Sequence, residues 1–235
     1  MANEDSANLR QVDRSARERL AATLEKYLAE EITAFPFDDA IREIQDASND
    51  PTVDWVANSL WFHYDDCKDH RVVLSKDEWD YFQRLILLLR SDAHVIVDFQ
   101  RQWSFAQVVA GLALLLFAAS VAMFGVGSHL LAVVLPLGCV SIAIARWRRS
   151  SRAPEADMRT YPFASMREIF AVRRAVPGFS KRRYPPVLRT RTIRSPILNG
   201  ALALPTYALW LCLAPVVLLW QSLPASIATT RVTTP

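Results

Sequence analysis

The chain has 235 residues, of which 51% are hydrophobic, and its formal net charge of +3 at pH 7 conceals two opposed blocks. Residues 1–103 carry 12 basic and 21 acidic residues, a net charge of −9, whereas residues 146–195 carry 14 basic and 3 acidic residues, a net charge of +11. All six glycines lie beyond residue 103. Because phosphate-binding loops need glycine for a close approach of the backbone to the ligand, Walker-type and dinucleotide-binding loops are excluded from the N-terminal region.

The overall organisation follows from where the apolar stretches lie. The fold class is predicted to be all-α, with an N-terminal soluble helical domain followed by a transmembrane helical hairpin and a third membrane helix. The N-terminal sequence MANEDSANLR lacks an apolar stretch, which predicts that no cleavable signal peptide is present. The three scattered cysteines do not form a disulfide framework.

The acidic domain, residues 1–103, is predicted to begin with two helices. Apolar residues recur at spacings of three and four from Leu9 to Ile32, which is typical of one face of a helix. Phe35-Pro36 is predicted to end this helix, because the residue before a proline avoids the α region. A second, short helix is predicted over Asp38 to Asp46.

Two further helices are predicted before the first apolar stretch. A third helix over roughly Val53 to Asp65 carries Trp61, and a fourth opens at a capping box formed by Ser75 and Glu78. The aromatic residues of both helices are interpreted as ordinary core residues. Residues 1–95 are therefore expected to fold on their own as a helical domain, although domains of this size are marginally stable.

Two uncharged apolar stretches predict a transmembrane hairpin over residues 104–147. Its spans are predicted at about 105–124 and 130–147, which is adequate to cross a hydrocarbon core of about 30 Å at about 1.5 Å per residue. The intervening turn, residues 125–129, contains no Lys or Arg.

Residues 197–220 form a third apolar stretch, which is interrupted by Pro205 and Pro215. Prolines are tolerated in membrane helices when neighbouring groups satisfy the freed carbonyls. A kinked third transmembrane helix is therefore predicted, with a re-entrant or broken helix as the alternative. Residues 221–235 form a polar, threonine-rich tail that is predicted to be disordered.

The distribution of basic residues predicts the topology. Under the positive-inside rule, the basic block at residues 146–195 and the acidic residues 1–103 face the cytoplasm. The membrane is predicted to be a plasma membrane or a bacterial inner membrane. With three spans the C-terminus lies outside, so an external reagent would label a cysteine placed at Ser226 and would miss one placed at Ser180. Protection of both positions would indicate two spans and a re-entrant segment.

The basic juxtamembrane segment, residues 148–196, is predicted to bind anionic membrane lipids. Each Lys or Arg near an anionic leaflet contributes about 1 kcal/mol. The segment is held at the membrane by an apolar stretch at each end, which argues against nucleic acid as its ligand. The residues predicted to face lipid are Arg146, Arg148, Arg149, Arg152, Arg173, Arg174, Lys181, Arg182 and Arg183.

Within this segment a short helix is predicted at about 166–176. Ser165 and Glu168 form a second capping box, and Pro177-Gly178 ends the helix. Its apolar residues fall on one side at about 100° per residue, which predicts a helix lying in the membrane interface. Residues 181–196, with six basic residues and three prolines, are predicted to form an extended tether.

One spacing provides a metal-binding candidate, in which His63, Cys67 and His70 form H-x3-C-x2-H. On one continuous helix these residues would share a face, and imidazole and thiolate suit zinc. The alternative is that they extend the buried apolar row of the third helix. A structural zinc site also needs four ligands, and the fourth would have to be a nearby aspartate. No catalytic residue, metal or cofactor is assigned, and the acidic residues within 65–69 are interpreted as a solvated helix end or loop.

The leading functional hypothesis is a non-catalytic interaction or regulatory module that presents the helical domain at the cytoplasmic membrane surface. Its predicted partners are anionic membrane lipids and a protein bound by the N-terminal domain, and the chain is also a candidate for homo-oligomers. The alternative is a small oligomeric transport or pore-forming subunit. The apolar stretches contain no ionisable residue, which weighs against a pump or secondary transporter.

The two opposed charge blocks share one chain, which gives each a high effective concentration for the other. We expect the acidic domain and anionic lipid to compete for the basic segment. Binding of the domain to a peptide spanning Arg146 to Arg194 is expected to weaken with salt, because exposed charges are screened beyond about 8–10 Å.

Overall fold

The computed structural model describes residues 12–65, 67–152, 159–193 and 196–233. The described chain is mostly helical, as the sequence predicts, and also contains a small sheet. By its internal contacts the chain divides into two compact units. The helical unit comprises Met1–Val97, Ala156–Ile193 and Thr230–Pro235, and the apolar unit comprises Asp98–Glu155 and Arg194–Thr229.

Helices dominate both units, and two strands complete the described chain. In chain order the elements are α1 (Arg14–Leu28), α2 (Ala34–Asp46), α3 (Pro51–Leu60), a 3-10 helix (Trp61–His63), α4 (Lys76–Leu89), β1 (His94–Gln102), α5 (Phe105–Phe124), α6 (Leu130–Arg152), α7 (Met166–Ala175), a second 3-10 helix (Pro186–Thr190), α8 (Pro196–Cys212), α9 (Ala214–Ser222) and β2 (Ala225–Thr233).

The first helix is shorter than predicted, because the backbone turns left-handed soon after its last residue, Leu28. Glu30 has a φ of 61°, in the region that commonly ends helices. The predicted start at Leu9 lies outside the described residues. The prediction that Phe35-Pro36 ends this helix is wrong. Pro36 lies in the first turn of α2, where a helix has no acceptor for the N–H that proline lacks.

Side-chain caps set the starts of the next two helices. Asp50 accepts a hydrogen bond from the Thr52 N–H, and Pro51 occupies the first turn of α3. The capping box of α4 is confirmed, since Ser75 Oγ accepts from the Glu78 N–H at 3.3 Å and Glu78 Oε2 accepts from the Ser75 N–H at 2.7 Å.

The core of the helical unit forms where the apolar faces of α1 to α4 meet. The rings of Tyr27 and Phe37 stack there, with their centroids 4.2 Å apart. Three buried residues from later in the chain, Phe163, Val172 and Leu188, belong to the same core. Folding of residues 1–95 on their own stays a prediction, and without these three side chains that region would expose part of its apolar core to water.

Two helices of the apolar unit are long and apolar enough to cross a membrane. They are Phe105–Phe124 and Leu130–Arg148, which agree with the predicted spans. At about 1.5 Å per residue each matches a hydrocarbon core of about 30 Å, which indicates that the protein associates with a membrane. The small side chains of Ala106, Ala110 and Ala113 are buried where α5 packs against α6 and α9.

The third apolar stretch is not a straight helix. Ala203–Cys212 and Ala214–Ser222 together have the length and composition of a span, but they are bent by 78° at the break between them. Pro215 lies in the first turn of α9 and lacks the N–H that would continue the hydrogen bonding of α8. A broken span and a re-entrant segment both have such a bend.

Replacing Gly138 by alanine is expected to disturb the packing of α6 against α8. A Cβ atom at this position would lie 2.5 Å from Leu211 Cδ2 and 3.1 Å from Leu211 Cα, so the leucine side chain or its helix must move. Overpacking of this kind costs about 1–3 kcal/mol, and thermal unfolding of the full chain in detergent micelles should show a lower midpoint.

The matched control for this contact is Gly111→Ala in α5, where nothing lies within 4 Å of the added methyl group. This substitution should leave the midpoint unchanged or raise it, because alanine favours helix formation over glycine. Equal midpoints for Gly138→Ala and the unsubstituted chain would contradict a close contact between α6 and α8.

Two strands depart from the all-α prediction. β1 and β2 pair in one two-stranded sheet, and Thr233 Oγ1 donates to the His94 carbonyl at 3.4 Å. The prediction of a disordered tail over 221–235 is corrected, because residues 225–233 form a strand and residues 234–235 lie outside the described residues. β-Branched residues in both strands favour this conformation.

Candidate interaction site

Residues 159–193, here called the docked segment, pack into the core of the helical unit. Phe163, Val172 and Leu188 are almost fully buried there, on both sides of α7. The prediction of an extended tether over 181–196 is therefore wrong for its part within the docked segment. Burial of such side chains stabilises a contact by about 1.5–3 kcal/mol each, which an extended chain in water would forgo.

Tyr161 begins this contact by packing among the aromatic residues of α3 and α4. Its ring stacks on Tyr81 with centroids 5.8 Å apart and lies 6.1 Å from the ring of Trp55. The carbonyl of Tyr161 accepts a hydrogen bond from Arg84 Nε at 2.6 Å. The start of the docked segment is thus fixed by ring packing and by a charged donor.

Hydrogen bonds join a later part of the docked segment to the helices. The indole N–H of Trp79 donates to the Arg182 carbonyl at 3.1 Å, and the Arg182 N–H donates to Gln83 Oε1 at 3.1 Å. The Tyr184 hydroxyl donates to the Leu74 carbonyl at 2.9 Å, and its ring meets Trp79 edge-on with centroids 5.9 Å apart. These contacts use backbone and neutral side-chain groups, which salt does not screen.

Ion pairs add charged contacts between the acidic helices and the docked segment. Lys181 Nζ lies 2.8 Å from Asp80 Oδ1, and Arg191 pairs with Glu30 and donates to the Val72 carbonyl at 3.1 Å. Ion pairs that water reaches contribute about 0–1 kcal/mol each. Charge attraction between the two blocks is therefore present but secondary to the apolar and backbone contacts.

Helix α7 forms where the sequence predicts it, but its apolar residues face two ways. Val172 is buried in the core and Ile169 packs against that core, whereas Met166 and Phe170 are about half exposed. The side of α7 that was predicted to face lipid is thus partly covered by the helical unit. Only its exposed part remains available to a membrane surface.

Five of the basic residues predicted to face lipid lie on the docked segment. Arg173, Arg174 and Arg183 are exposed. Lys181 forms the ion pair described above, and the Arg182 guanidinium donates to a carbonyl of α1 at 3.4 Å. The segment therefore combines basic side chains that contact the helical unit with others that point into solvent.

The remaining predicted lipid-facing residues lie at the end of α6. Arg146 is exposed, whereas Arg148 is partly buried and donates to the Gln221 carbonyl at 2.6 Å. The side chains of Arg149 and Arg152 lie outside the described residues. Arg148 therefore contacts the end of α9 within the apolar unit.

The metal-binding candidate is not assembled in the described structure. The α-helix stops before His63, so His63, Cys67 and His70 do not share one helical face. Both ring nitrogens of His70 lie within hydrogen-bond distance of backbone groups. Among the described residues, which omit Asp66, no group of three or more His, Cys, Asp or Glu residues could hold a metal ion.

His63 instead supports the cap of α4. Its Nδ1 atom lies 3.3 Å from Glu78 Oε1, and its ring centroid lies 5.3 Å from that of Tyr81 and 5.5 Å from that of Phe82. The hydrogen bond with His63, supplemented by bonds from Ser75, lowers the pKa of Glu78 to about 2, although burial opposes the shift. His63 therefore stabilises the ionised carboxylate of Glu78, which caps the start of α4.

An exposed aromatic pair lies on the 3-10 helix that follows α3. Phe62 is 79% exposed and Trp61 is 48% exposed, and their rings meet edge-on with centroids 5.4 Å apart. The prediction that Trp61 belongs to the core is wrong, because α3 ends at Leu60 and the tighter 3-10 turn changes the direction of the side chains that follow. The sequence contained a signal for this exposure. Leu60, Trp61 and Phe62 are three consecutive apolar residues, and on a helix such residues cannot all face one core.

The chain around this aromatic pair is acidic. Residues 54–71 contain four acidic and two basic residues, and Asp69 is exposed with its carboxylate accepting from the Phe35 N–H at 3.1 Å. Aromatic residues are enriched at the centres of protein interfaces, and the rims of interfaces are polar. The arrangement therefore has the composition of a protein-binding surface.

Comparisons with known proteins identify no relative of this chain. No family model, no curated protein and no solved structure matches the chain. Function therefore has to follow from the geometry and chemistry of the surfaces themselves.

Proposed function

We propose that the chain is a non-catalytic, multi-pass membrane protein that presents its helical unit to a protein partner at the cytoplasmic membrane surface. The observation that carries the proposal is the exposed pair Trp61 and Phe62. The aromatic residues of α4, Trp79, Tyr81 and Phe82, are buried in the core, and Trp55 of α3 is partly buried against it. Two adjacent large aromatic side chains left outside that core are best explained by a partner that covers them, because such residues contribute about 2 kcal/mol or more each at interface centres.

The partner is expected to combine an apolar pocket with a basic rim. The aromatic pair lies in a region whose acidic residues outnumber its basic ones, within a block of net charge −9 over residues 1–103. Complementary charge across an interface accelerates encounter and suppresses wrong partners. The same negative charge disfavours an anionic lipid leaflet at this surface, so a basic protein surface fits the pair better than a membrane does.

Lipid binding is proposed for a different surface, the exposed arginines of the docked segment. Arg173 and Arg174 of α7 are exposed, whereas the neighbouring Val172 is buried in the core. Within the part of the chain that the structure describes, Arg173 and Arg174 form no ion pair. We propose that they bind anionic headgroups while the segment stays docked. Competition between lipid and the acidic helices, suggested by the charges alone, is then unnecessary, because docking depends chiefly on apolar and backbone contacts.

The proposed orientation follows from the same basic residues. The positive-inside rule places the basic segment in the cytoplasm. Because the docked segment and α1 to α4 form one compact unit, the helical unit lies on that side as a whole. The exposed aromatic pair would then meet cytoplasmic partners.

Site-specific photocrosslinking tests the protein partner. A photoreactive amino acid at Phe62 of the full chain, expressed in its native cells, is expected to give a discrete crosslinked protein, whereas the same amino acid at the exposed Glu43 of α2 is not. Adding Trp61→Ser should strongly reduce the yield, since losing an interface aromatic costs about 2 kcal/mol, which is about 30-fold in affinity.

Two outcomes would contradict this function. Crosslinks from Phe62 to phospholipid alone would assign the pair to the membrane, and identical products from Phe62 and Glu43 would show nonspecific contact. Solute flux through liposomes that contain only the purified chain would instead support the oligomeric transport or pore-forming subunit.

A further inference from the structure

The C-terminal end of α9 lies beside the N-terminal end of α5. Gln107 Nε2, in the first turn of α5, donates to the Leu223 carbonyl at 3.2 Å and to the Gln102 carbonyl at 3.1 Å. Arg148, near the end of α6, donates to the Gln221 carbonyl. Helices α5 and α6 are joined by a short turn and pack together, so the start of α5 and the end of α6 lie at the same end of the pair. Residues 221–223 therefore lie at that end too.

The break between α8 and α9 lies near the middle of α6 rather than at its far end. Trp210 Nε1 donates to Ser141 Oγ at 2.9 Å, and Gly138 lies close enough to Leu211 that an added Cβ would be 3.1 Å from its Cα. Ser141 precedes Arg148 by about 10 Å along the helix axis at about 1.5 Å per residue. A hydrocarbon core is about 30 Å thick, so these contacts reach about a third to a half of its depth.

The beginning of α8 is placed by the course of the chain. The second span, Leu130–Arg148, ends at the face of the membrane where α5 begins. Residues 149–195, which connect this span to α8, contain no apolar stretch long enough to cross a hydrocarbon core of about 30 Å. Helix α8 therefore begins at the face where α5 begins.

The dimensions of α9 agree with a return to that face. Its nine residues extend about 13 Å, which is about half of a hydrocarbon core. The 78° bend redirects the chain after α8, and β2 then pairs with β1, the strand that leads into α5. The end of α9 is thus placed at this face by hydrogen bonds, and the start of α8 by the course of the chain.

We infer that α8 and α9 form a re-entrant pair that enters and leaves the membrane at the same face, so the chain crosses the membrane twice. The lipid of a single leaflet would contact the exposed surface of this helix pair. Its acyl chains would cover the exposed apolar side chains of the pair, which are Leu204, Tyr207, Leu209, Val216, Leu219 and Trp220. Trp220, close to the end of α9, lies where tryptophan commonly anchors a segment at the headgroup level. This inference does not depend on the protein partner proposed above.

Cysteine accessibility in the full chain tests the inference. In a background with Cys67→Ser, Cys139→Ala and Cys212→Ala, single cysteines replace the exposed residues Ser128, Ser180 and Ser226. A membrane-impermeant maleimide is added to sealed vesicles of defined orientation, and labelling after permeabilisation measures the intrinsic reactivity of each position.

Ser180→Cys and Ser226→Cys are expected to react from one side, and Ser128→Cys, in the turn between α5 and α6, from the other. Labelling of Ser226→Cys from the same side as Ser128→Cys would overturn the inference and restore three spans. Should Ser226→Cys react poorly after permeabilisation, a protease-cleavable tag following Pro235 gives the same decision. Cleavage from the side of Ser180 supports a re-entrant pair, and cleavage from the side of Ser128 refutes it.

Discussion

Replacing Asp50 by asparagine is expected to destabilise the helical unit by about 3–5 kcal/mol. Asp50 Oδ2 lies 2.5 Å from Arg17 Nε, and both side chains are completely buried. Arg17 also donates to the Ser91 and Ala93 carbonyls, at 2.9 Å and 2.8 Å, so the pair ties α1, the start of α3 and the loop after α4 together. Asparagine keeps the shape of the helix cap and removes the negative charge, which leaves the guanidinium uncompensated in the core.

Native-state hydrogen exchange of the full chain in detergent micelles measures this loss. Peptides from α1 and α4 report the opening free energy of the helical unit separately from that of the apolar unit. Asp46→Asn, at an exposed position at the end of α2, is the matched control and should stay within about 0.5 kcal/mol of the unsubstituted chain. The double variant Arg17→Met, Asp50→Asn should recover part of the loss, because it leaves no buried charge. Unchanged protection in Asp50→Asn would show that the pair does not stabilise the unit.

The same ion pair gives the protein a dependence on acid. Burial alone would raise the pKa of Asp50, but the hydrogen bonds and the positive charge of Arg17 outweigh burial and the pKa is lowered. A lowered pKa in the folded state means that the stabilisation is complete above the unfolded value of about 3.9 and is lost as the pH falls through the folded value. Protection of α1 and α4 should therefore fall below about pH 4, and the fall should be smaller in Asp50→Asn.

Replacing Trp79 by alanine is expected to release the docked segment. Trp79 is buried, its indole N–H bonds to the Arg182 carbonyl, and its ring packs against Tyr184. Truncating a buried tryptophan to alanine costs about 3–5 kcal/mol. Since the lost contacts hold the segment, the exposed basic run at residues 181–183 should become a faster site of tryptic cleavage.

The rate of cleavage after residues 181–183, in the full chain in micelles, measures this release. Trp79→Phe keeps most of the ring packing and removes the N–H donor, so a smaller effect of about 1 kcal/mol is expected. Trp61→Ala removes an exposed ring and should leave the rate unchanged. Hydrogen exchange of α4 separates local release from unfolding of the whole unit. A rate for Trp79→Ala equal to that of the unsubstituted chain would show that other contacts suffice to hold the segment.

The elements that were predicted well have causes within a few residues of themselves. The capping box of Ser75 and Glu78 is present, and α5 covers the predicted span Phe105–Phe124. Helix α7 starts directly after Ser165, whose hydroxyl accepts from the Glu168 N–H. Caps act over three residues and a span depends on local composition, so neither requires knowledge of distant contacts.

The elements that were predicted poorly depend on choices between local alternatives. Pro36 is compatible with the end of one helix and with the first turn of the next, and only the left-handed Glu30 decides between them. Trp61 and His63 follow a helix that ends earlier than its apolar pattern suggests. The metal-binding spacing disappeared with that helix, because its geometry depended on an unbroken α-helical turn.

By itself the sequence determined the two apolar helices and the capped helix starts, because an uncharged stretch of membrane length and a capping side chain need no distant partner. Only the tertiary structure decided that residues 159–193 complete the core of the acidic helices, that Trp61 remains outside this core, and that residues 225–233 pair with β1. The physical reason is that the first and the last of these outcomes rest on contacts between residues far apart in the chain, up to the 161 positions that separate Glu30 from Arg191. The position of Trp61 depends instead on where α3 ends. Charge pattern alone suggested that the two blocks would meet, but the buried side chains and backbone hydrogen bonds that hold them together become visible only once the chain is folded.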